Sequence, residues 1–181
     1  MLGTMVDTEV INSAVRLACR APSLHNSQPW RWVADRAGLH LFADPSRKLA
    51  SADQSGREAL ISCGAALDHL RVAMAAAGWT ARVERFPNPN NLKQLASIDF
   101  SPMSFVTYDN RDRADAITRR RTDRLPLNPP ANWESFEPEM RHVVDDRDVR
   151  LDVLSDALRP ELAEASQLSA SLRLYDSAYH A

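Results

Sequence analysis

A chain of 181 residues is long enough for one domain with a hydrophobic core and too short for two comfortable ones. Its 44% hydrophobic and 25% charged residues are typical of globular proteins, and no uninterrupted apolar run approaches the length of a membrane span. The formal net charge of -2 excludes a global field that would attract nucleic acid or an anionic membrane, so any anion site must be local.

The N-terminal part of the chain predicts a helix followed by a polar loop. Met1 to Glu9 lacks the basic and apolar regions of a secretory signal, and we expect a cytoplasmic protein. Thr8 is a suitable N-cap for a helix whose apolar residues recur at a 3.6-residue period. Pro22 disfavours helical geometry in the residue before it, so the helix ends there and Ser23 to Gln28 form a loop.

The next segments predict a hairpin and the longest helix. Trp30 to Val33 and Leu39 to Ala43 are short runs of bulky residues, and Gly38 between them can adopt positive φ. Asp53 to Ala77 shows apolar spacing of three and four residues, with Gly78 as the C-cap. An ordinary core helix already explains this spacing, and the alternative is a helix that packs on another helix or subunit. Its members are Leu60, Cys63, Leu67, Leu70, Met74 and Ala77.

A second pair of strands and a third helix are expected further along the chain. Trp79 to Phe86 and Leu95 to Phe100 have strand composition, and the link between them is rich in proline and asparagine. Asn110 can cap a helix that reaches toward Arg121. The three prolines of Leu125 to Pro130 end it.

The last third of the chain predicts helix, strand and helix. A helix is expected over Trp133 to Val143, a short strand over Val149 to Leu154, and a final helix from about Pro160. That final helix has no stop signal before His180, so we expect the chain to continue in the native protein. Strands and helices mix without a βαβ rhythm, which predicts an α+β fold.

The loop before the first strand combines groups that suit a planar heterocycle. Ser23 can donate a hydrogen bond, Asn26 and Gln28 can both donate and accept, and Trp30 or Trp32 can support an apolar ring edge. The alternative is that the polar side chains satisfy the backbone of a turn while both tryptophans fill the core.

An arginine-rich stretch, Arg119 to Arg124, is the second candidate for chemistry. Guanidinium groups match phosphate oxygens bidentately. On a helix Arg120 and Arg124 would lie on one face and grip one phosphate, with Thr122 completing the hydrogen bonds. The alternative is a solvated basic face that stabilises a helix C-terminus.

Both segments resemble motifs of the flavin-dependent nitroreductases. Ala21 to Trp30 reads APSLHNSQPW and matches the signature APSxxNxQPW, and Arg120 to Arg124 reads RRTDR and resembles the RRSxR stretch that holds the flavin phosphate. In ordinary members, which are dimers with the flavin at the interface, the arginine stretch comes first. The reversed order here resembles the Acg-like mycobacterial branch, whose members look like fused pseudo-dimers.

This resemblance runs along the whole chain and carries expectations about the fold. It implies a nitroreductase-like α+β fold, in which a mixed or antiparallel sheet is flanked by helices. Members of the branch are nearly twice as long, so the chain would be their N-terminal half and an incomplete pseudo-dimer. Residues 1–110 would form the first repeat and residues 111–181 the start of the second.

The resemblance also implies the site residues and the cofactor. FMN would contact Ser23, Asn26, Gln28, Pro29, Trp30, Arg31 and Trp32, and its phosphate would contact Arg120, Arg121, Thr122 and Arg124. Strand alternation starting at Trp30 would turn Arg31 away from both tryptophans. No catalytic side chain is expected, because the flavin carries the hydride. The five histidines show no metal-ligand spacing.

Three functions follow from these features. The first is an FMN-dependent oxidoreductase of nitroreductase type, which passes hydride from NAD(P)H through flavin to an acceptor. The second is a protein that stores or sequesters flavin without reductase activity, or an inactive truncated fragment. The third, a nucleic-acid or regulatory partner that uses the arginines, lacks any accompanying recognition motif. For the flavin functions, the remaining half of a longer chain or self-association would complete the site.

Overall fold

The computed structural model describes residues 6–35, 38–123, 125, 128, 130–144 and 149–175. Two compact units are present, Met1–Thr122 and Asp123–Ala181. The helices and strands of the first unit are α1 (Thr8–Ala18), β1 (Trp30–Asp35), β2 (Gly38–Ala43), α2 (Arg57–Ala76), β3 (Trp79–Arg85), β4 (Gln94–Pro102) and α3 (Tyr108–Arg119). Those of the second are α4 (Trp133–Val143) and α5 (Arg159–Arg173).

Four antiparallel strands form one sheet in the order β1-β2-β4-β3. Both predicted strand pairs are confirmed, and with them the α+β class. Gly38 begins β2 with φ of 138°, and a Cβ at this position would lie 2.7 Å from the carbonyl oxygen of Ile98. Glycine is therefore required there by both backbone geometry and space. Arg36 and Ala37 in the hairpin turn lie outside the described residues.

The core of the first unit lies between α2 and the sheet. α2 contacts β2 and β3 and also packs on α1 and α3. Leu70 and Met74 of α2 are fully buried, as are Leu41 of β2 and Ile98 of β4. Burial of each such side chain stabilises the fold by roughly 1.5–3 kcal/mol. By length and composition α2 could cross a membrane, but it uses its apolar face to cover the sheet.

Two helix starts differ from the sequence prediction. The N-cap of α1 is Asp7 and not Thr8, since the carboxylate of Asp7 accepts a hydrogen bond from the amide of Glu9 at 2.9 Å. The N-cap of α3 is Thr107 and not Asn110. Asn110 is instead the third residue of a reciprocal capping box, in which its side chain accepts from the Thr107 amide.

The predicted start of α2 at Asp53 was also wrong. The helix begins at Arg57 after Gly56, whose φ of 75° is left-handed. Asp53 lies in the preceding turn, where its carboxylate accepts from the Ala59 amide at 2.8 Å and so satisfies a first-turn donor. Leu60, the first member of the predicted apolar stripe, is 46% exposed, because it lies within the first turn before α2 reaches the core.

In the second unit both predicted helices are confirmed, and the predicted strand is wrong. Residues 149–154 adopt no regular structure. The carbonyl of Leu151 accepts a hydrogen bond from Nη1 of Arg141 at 2.9 Å. A strand requires a neighbouring strand, and the described residues of this unit provide none. The leucines of α5 are exposed within this unit. The part of the predicted helix that follows Tyr175 lies outside the described residues.

Candidate functional site

The signature loop, Ala21 to Trp30, connects α1 to the edge strand β1 and has an unusual backbone. His25, Asn26 and Gln28 have φ values of 46°, 57° and 49°. These angles lie in the left-handed region, where each non-glycine residue costs roughly 1–2 kcal/mol and asparagine is the best tolerated. The surrounding structure must therefore hold the loop in place.

Hydrogen bonds within the loop connect three of the predicted flavin contacts. The hydroxyl of Ser23 accepts from the Gln28 amide at 3.1 Å, and Nε2 of Gln28 donates to Oδ1 of Asn26 at 3.4 Å. Ser23 thus does satisfy a turn backbone, as the alternative interpretation expected. Among the described residues, however, neither its hydroxyl hydrogen nor Nδ2 of Asn26 has an acceptor. Asn26 is exposed and Ser23 is half-buried, so both donors can reach a ligand.

Two consecutive residues of α2 bind the loop to the core. The amide of Leu24 donates to the hydroxyl of Ser62 at 3.2 Å, and the thiol of Cys63 donates to the carbonyl of Pro29 at 3.3 Å. That carbonyl also accepts from the amide of Asp44 at 2.9 Å. Burial raises the pKa of Cys63 to about 11, so the thiol keeps its proton at neutral pH. Neither Ser62 nor Cys63 was predicted to bond to this loop.

The first three residues of β1 alternate between the two faces of the sheet. Trp30 is only 6% exposed and belongs to the core, and Trp32 is half-buried against the same core. Arg31 is exposed, and its Cζ lies 5.1 Å from the ring centroid of Phe42, within cation–π range. The predicted separation of Arg31 from both tryptophans is confirmed. The indole Nε1 of Trp32 is buried without a hydrogen-bond partner among the described residues.

The arginine stretch begins beside the start of the signature loop. Nη2 of Arg120 donates to the carbonyl of Arg20 at 2.9 Å, and Nη1 donates to the hydroxyl of Thr122 at 3.0 Å. Arg20 in turn reaches the carbonyl of Thr118 at 3.3 Å. The buried Nε of Arg120 has no partner within the described part of the chain. Two predicted phosphate contacts therefore lie together, next to the residue that precedes Ala21.

The rest of the stretch differs from the prediction. α3 ends at Arg119 and Arg120 has ψ of 136°, so the helical face that Arg120 and Arg124 were expected to share does not form. Arg124 itself lies outside the described residues. Nη1 of Arg121 donates to the carbonyls of Thr118, Arg119 and Arg120 at 2.9, 3.3 and 2.9 Å. The expected stabilisation of a helix C-terminus is thus present as direct capping.

His69 on α2 is a further polar group that sequence reasoning did not select. Its Nδ1 is buried and unpaired among the described residues. Burial lowers the pKa of His69. The negative charge of Asp68 raises this pKa, and the positive charge of Arg120 lowers it further. No group of three His, Cys, Asp or Glu side chains suited to a metal occurs among the described residues.

A groove of about 650 Å³ is lined by residues of α2 and β3. Its lining combines apolar and charged side chains. None of the predicted flavin contacts that the structure describes lines it. The lining residues are Gly64, Leu67, Asp68, Arg71, Ala81, Val83 and Arg85.

Comparison with known proteins places the chain among mycobacterial relatives. No family model matches it. It is 64% identical over all 181 residues to the Mycobacterium tuberculosis protein named "Putative NAD(P)H nitroreductase acg", of which it covers 55%. It is 48% identical over 120 residues, or 65% of the chain, to the same organism's "Putative NAD(P)H nitroreductase Rv3131", of which it covers 34%.

A solved structure from Bacteroides thetaiotaomicron, described as "Putative NADH dehydrogenase/NAD(P)H nitroreductase", is 16% identical and superposes with a TM-score of 0.45. The match covers 84% of this chain and 89% of that one. The resemblance expected from the two motifs is confirmed by the sequence identity to the mycobacterial proteins. Over its whole length the chain is homologous to the nitroreductase-like Acg proteins of mycobacteria, and it spans about half the length of these relatives.

Proposed function

We propose that this chain supplies one wall of an FMN site in a nitroreductase-like oxidoreductase, which takes hydride from NAD(P)H and passes it to an acceptor. The observation that carries the proposal is the hydrogen-bonded signature loop, with Arg120 bonded to the residue that precedes it. The names of the mycobacterial relatives support the reaction class.

The donors present fit the two ends of FMN. Ser23 and Asn26 each retain a donor without an acceptor, and an isoalloxazine offers carbonyl oxygens and ring nitrogens as acceptors. Arg120 has a buried guanidinium nitrogen without a partner, and a phosphate oxygen would satisfy it. We expect Ser23, Asn26 and Gln28 to orient the ring. Arg120, Arg121 and Thr122 would hold the phosphate, with Arg124 as a further candidate.

The cofactor and the protein have separate roles in this proposal. Bound FMN supplies the hydride chemistry, so no protein nucleophile is needed. The loop residues fix the position of the ring, and their left-handed backbone places side chains and amides without further reorganisation on binding. The arginines balance the charge of the phosphate at the end of α3. Pro29 ends the loop immediately before β1, which begins with Trp30, Arg31 and Trp32. Arg31 lies on the face opposite the two tryptophans.

Comparison of FMN with riboflavin tests the binding proposal. The 181-residue chain should quench flavin fluorescence on titration with FMN. Arg120→Met should weaken FMN binding by about 10- to 100-fold, because hydrogen bonds to charged groups contribute roughly 1.5–3 kcal/mol. Riboflavin affinity should change little, since riboflavin lacks the phosphate. The control is Arg113→Met on α3, because Arg113 pairs with Asp109 and bonds to no loop residue.

The ring-contact half of the site has its own variants. Asn26→Ala should weaken FMN and riboflavin binding equally, because both ligands share the ring. Asn91→Ala is the matched control, since Asn91 is exposed in the link between β3 and β4. Absence of quenching at every FMN concentration, or equal affinities for all variants, would refute the site.

Rapid mixing with NADPH separates turnover from storage. The visible absorbance of bound flavin should bleach and recover when an acceptor is added. Stable binding without bleaching by NADH or NADPH would contradict the reductase proposal and assign flavin storage to the same residues.

A further inference from the structure

We infer that Ser62 and Cys63 of α2 are positioning residues that hold the signature loop in its ligand-ready form. This pair, the loop clamp, bonds to the loop on both sides of its left-handed residues. The inference rests on the proposed function where it concerns flavin, and on the geometry alone where it concerns the loop.

The hydroxyl of Ser62 has a fixed orientation. It donates to the carbonyl of Glu58, one helical turn earlier, at 2.7 Å, and it accepts from the amide of Leu24 at 3.2 Å. The bond back to Glu58 is a common arrangement for serine inside a helix. Here it directs an oxygen lone pair toward the loop. Ser62 is only 5% exposed, so water cannot easily replace it as the acceptor.

Cys63 supplies the second attachment. Its side chain is 1% exposed, and its thiol donates to the carbonyl of Pro29. The Asp44 amide, which directly follows β2, donates to the same carbonyl at 2.9 Å. Pro29 is thereby held between α2 and the end of β2, immediately before β1 begins.

The two bonds enclose the left-handed part of the loop. His25, Asn26 and Gln28, all left-handed, fall between Leu24 and Pro29. Unfavourable backbone angles persist only where the surrounding structure enforces them. Ser62 and Cys63 are adjacent on a helix whose Leu70 and Met74 are fully buried. A rigid element therefore sets the separation of the two ends of the loop, and with it the positions of the Ser23 and Asn26 side chains.

Hydrogen exchange at one amide tests the clamp without flavin. In Ser62→Ala the Leu24 amide loses its acceptor and should exchange about 3- to 10-fold faster, the range expected for a hydrogen bond of ordinary strength. Ser13→Ala is the matched control, because Ser13 is exposed on α1 and should leave Leu24 exchange unchanged. Amides in the middle of α2 report any general loss of stability in either variant.

Flavin affinity tests the consequence for binding. Ser62→Ala and Cys63→Ala should each weaken FMN binding about 3- to 10-fold. Cys63→Ser keeps a hydroxyl donor in nearly the same volume and should restore most of the affinity. A purely structural role would instead lower stability alike in Cys63→Ala and Cys63→Ser and leave the affinity of the folded protein unchanged.

The outcomes separate the clamp from the proposed function. If the unaltered chain binds no flavin, the proposed function fails, and Leu24 exchange alone decides the clamp. If Ser62→Ala does not fold, Cys63→Ala and Cys63→Ser test the clamp instead. The measured quantity is then the hydrogen-exchange rate of the Trp30 amide, which follows Pro29. Unchanged loop exchange, or unchanged FMN affinity in variants of a flavin-binding chain, would overturn the inference.

Discussion

Replacement of Leu70 by alanine tests the description of the core. Leu70 lies on α2 with no exposed surface and belongs to the cluster that joins the helix to the sheet. The substitution removes three carbon atoms, about 2.4 kcal/mol of transfer free energy at roughly 0.8 kcal/mol per methylene. The cavity left behind adds a further penalty, because packed cores relax incompletely. We expect the free energy of unfolding to fall by about 3–4 kcal/mol.

Leu60→Ala is the internal control on the same helix. Leu60 is 46% exposed, so its truncation should cost less than about 1 kcal/mol. Urea unfolding followed by tryptophan fluorescence gives both values, and the urea dependence must match that of the unaltered chain for the comparison to hold. Equal losses for Leu60 and Leu70, or a loss below about 1 kcal/mol at Leu70, would refute the assigned packing of α2.

Three further changes have defined outcomes in the same unfolding assay. Burial lowers the pKa of His69, so the unfolded chain binds this proton more tightly; stability should fall as pH drops below the usual histidine pKa of about 6.5, and His69→Gln should flatten that dependence. Gly38→Ala should destabilise by more than about 1 kcal/mol, because its Cβ would meet the Ile98 carbonyl oxygen at 2.7 Å; no loss there would contradict the hairpin geometry. Thr107→Ala should cost about 1 kcal/mol by removing the α3 cap, and an unchanged midpoint would contradict the capping box.

The sequence was sufficient for elements whose cause is local. Apolar periodicity predicted α1, α2, α4 and α5, because the buried face of a helix requires an apolar residue every three or four positions. Both strand pairs followed from runs of strand-forming residues and from the turn residues between them. The helix starts were less predictable, since Asp7 and Thr8, or Thr107 and Asn110, are each acceptable caps and only backbone geometry selects one.

The strand expected over Val149 to Leu154 shows the limit of local patterns. Its composition suits a strand, but a strand exists only when a neighbour accepts its hydrogen bonds. The side chain of Arg141 binds the Leu151 carbonyl instead. A sequence pattern contains no record of whether such a partner is available.

The sequence predicted which segments form the candidate site but did not predict the contacts that hold them in position. The signature loop and the arginine stretch are recognisable as motifs, whereas the bonds that position them join residues far apart in sequence. Leu24 and Ser62 are separated by 38 positions, and Arg20 and Arg120 by 100. Neither pair has a sequence signal of its own, because serine on a buried helix face and arginine at a helix end are both ordinary.

The two arginines at the end of α3 are not equivalent as phosphate ligands. Nη1 of Arg121 shares its two N–H groups among the carbonyls of Thr118, Arg119 and Arg120, and a ligand that recruited this nitrogen would compete with them. Arg120 already lies against Arg20 and keeps a buried Nε without a partner. Binding an anion there would relieve an unsatisfied donor at no cost to the helix. If the proposed site is correct, Arg120 should therefore contribute more to FMN affinity than Arg121, and Arg121→Met should reduce helix stability more than it reduces binding.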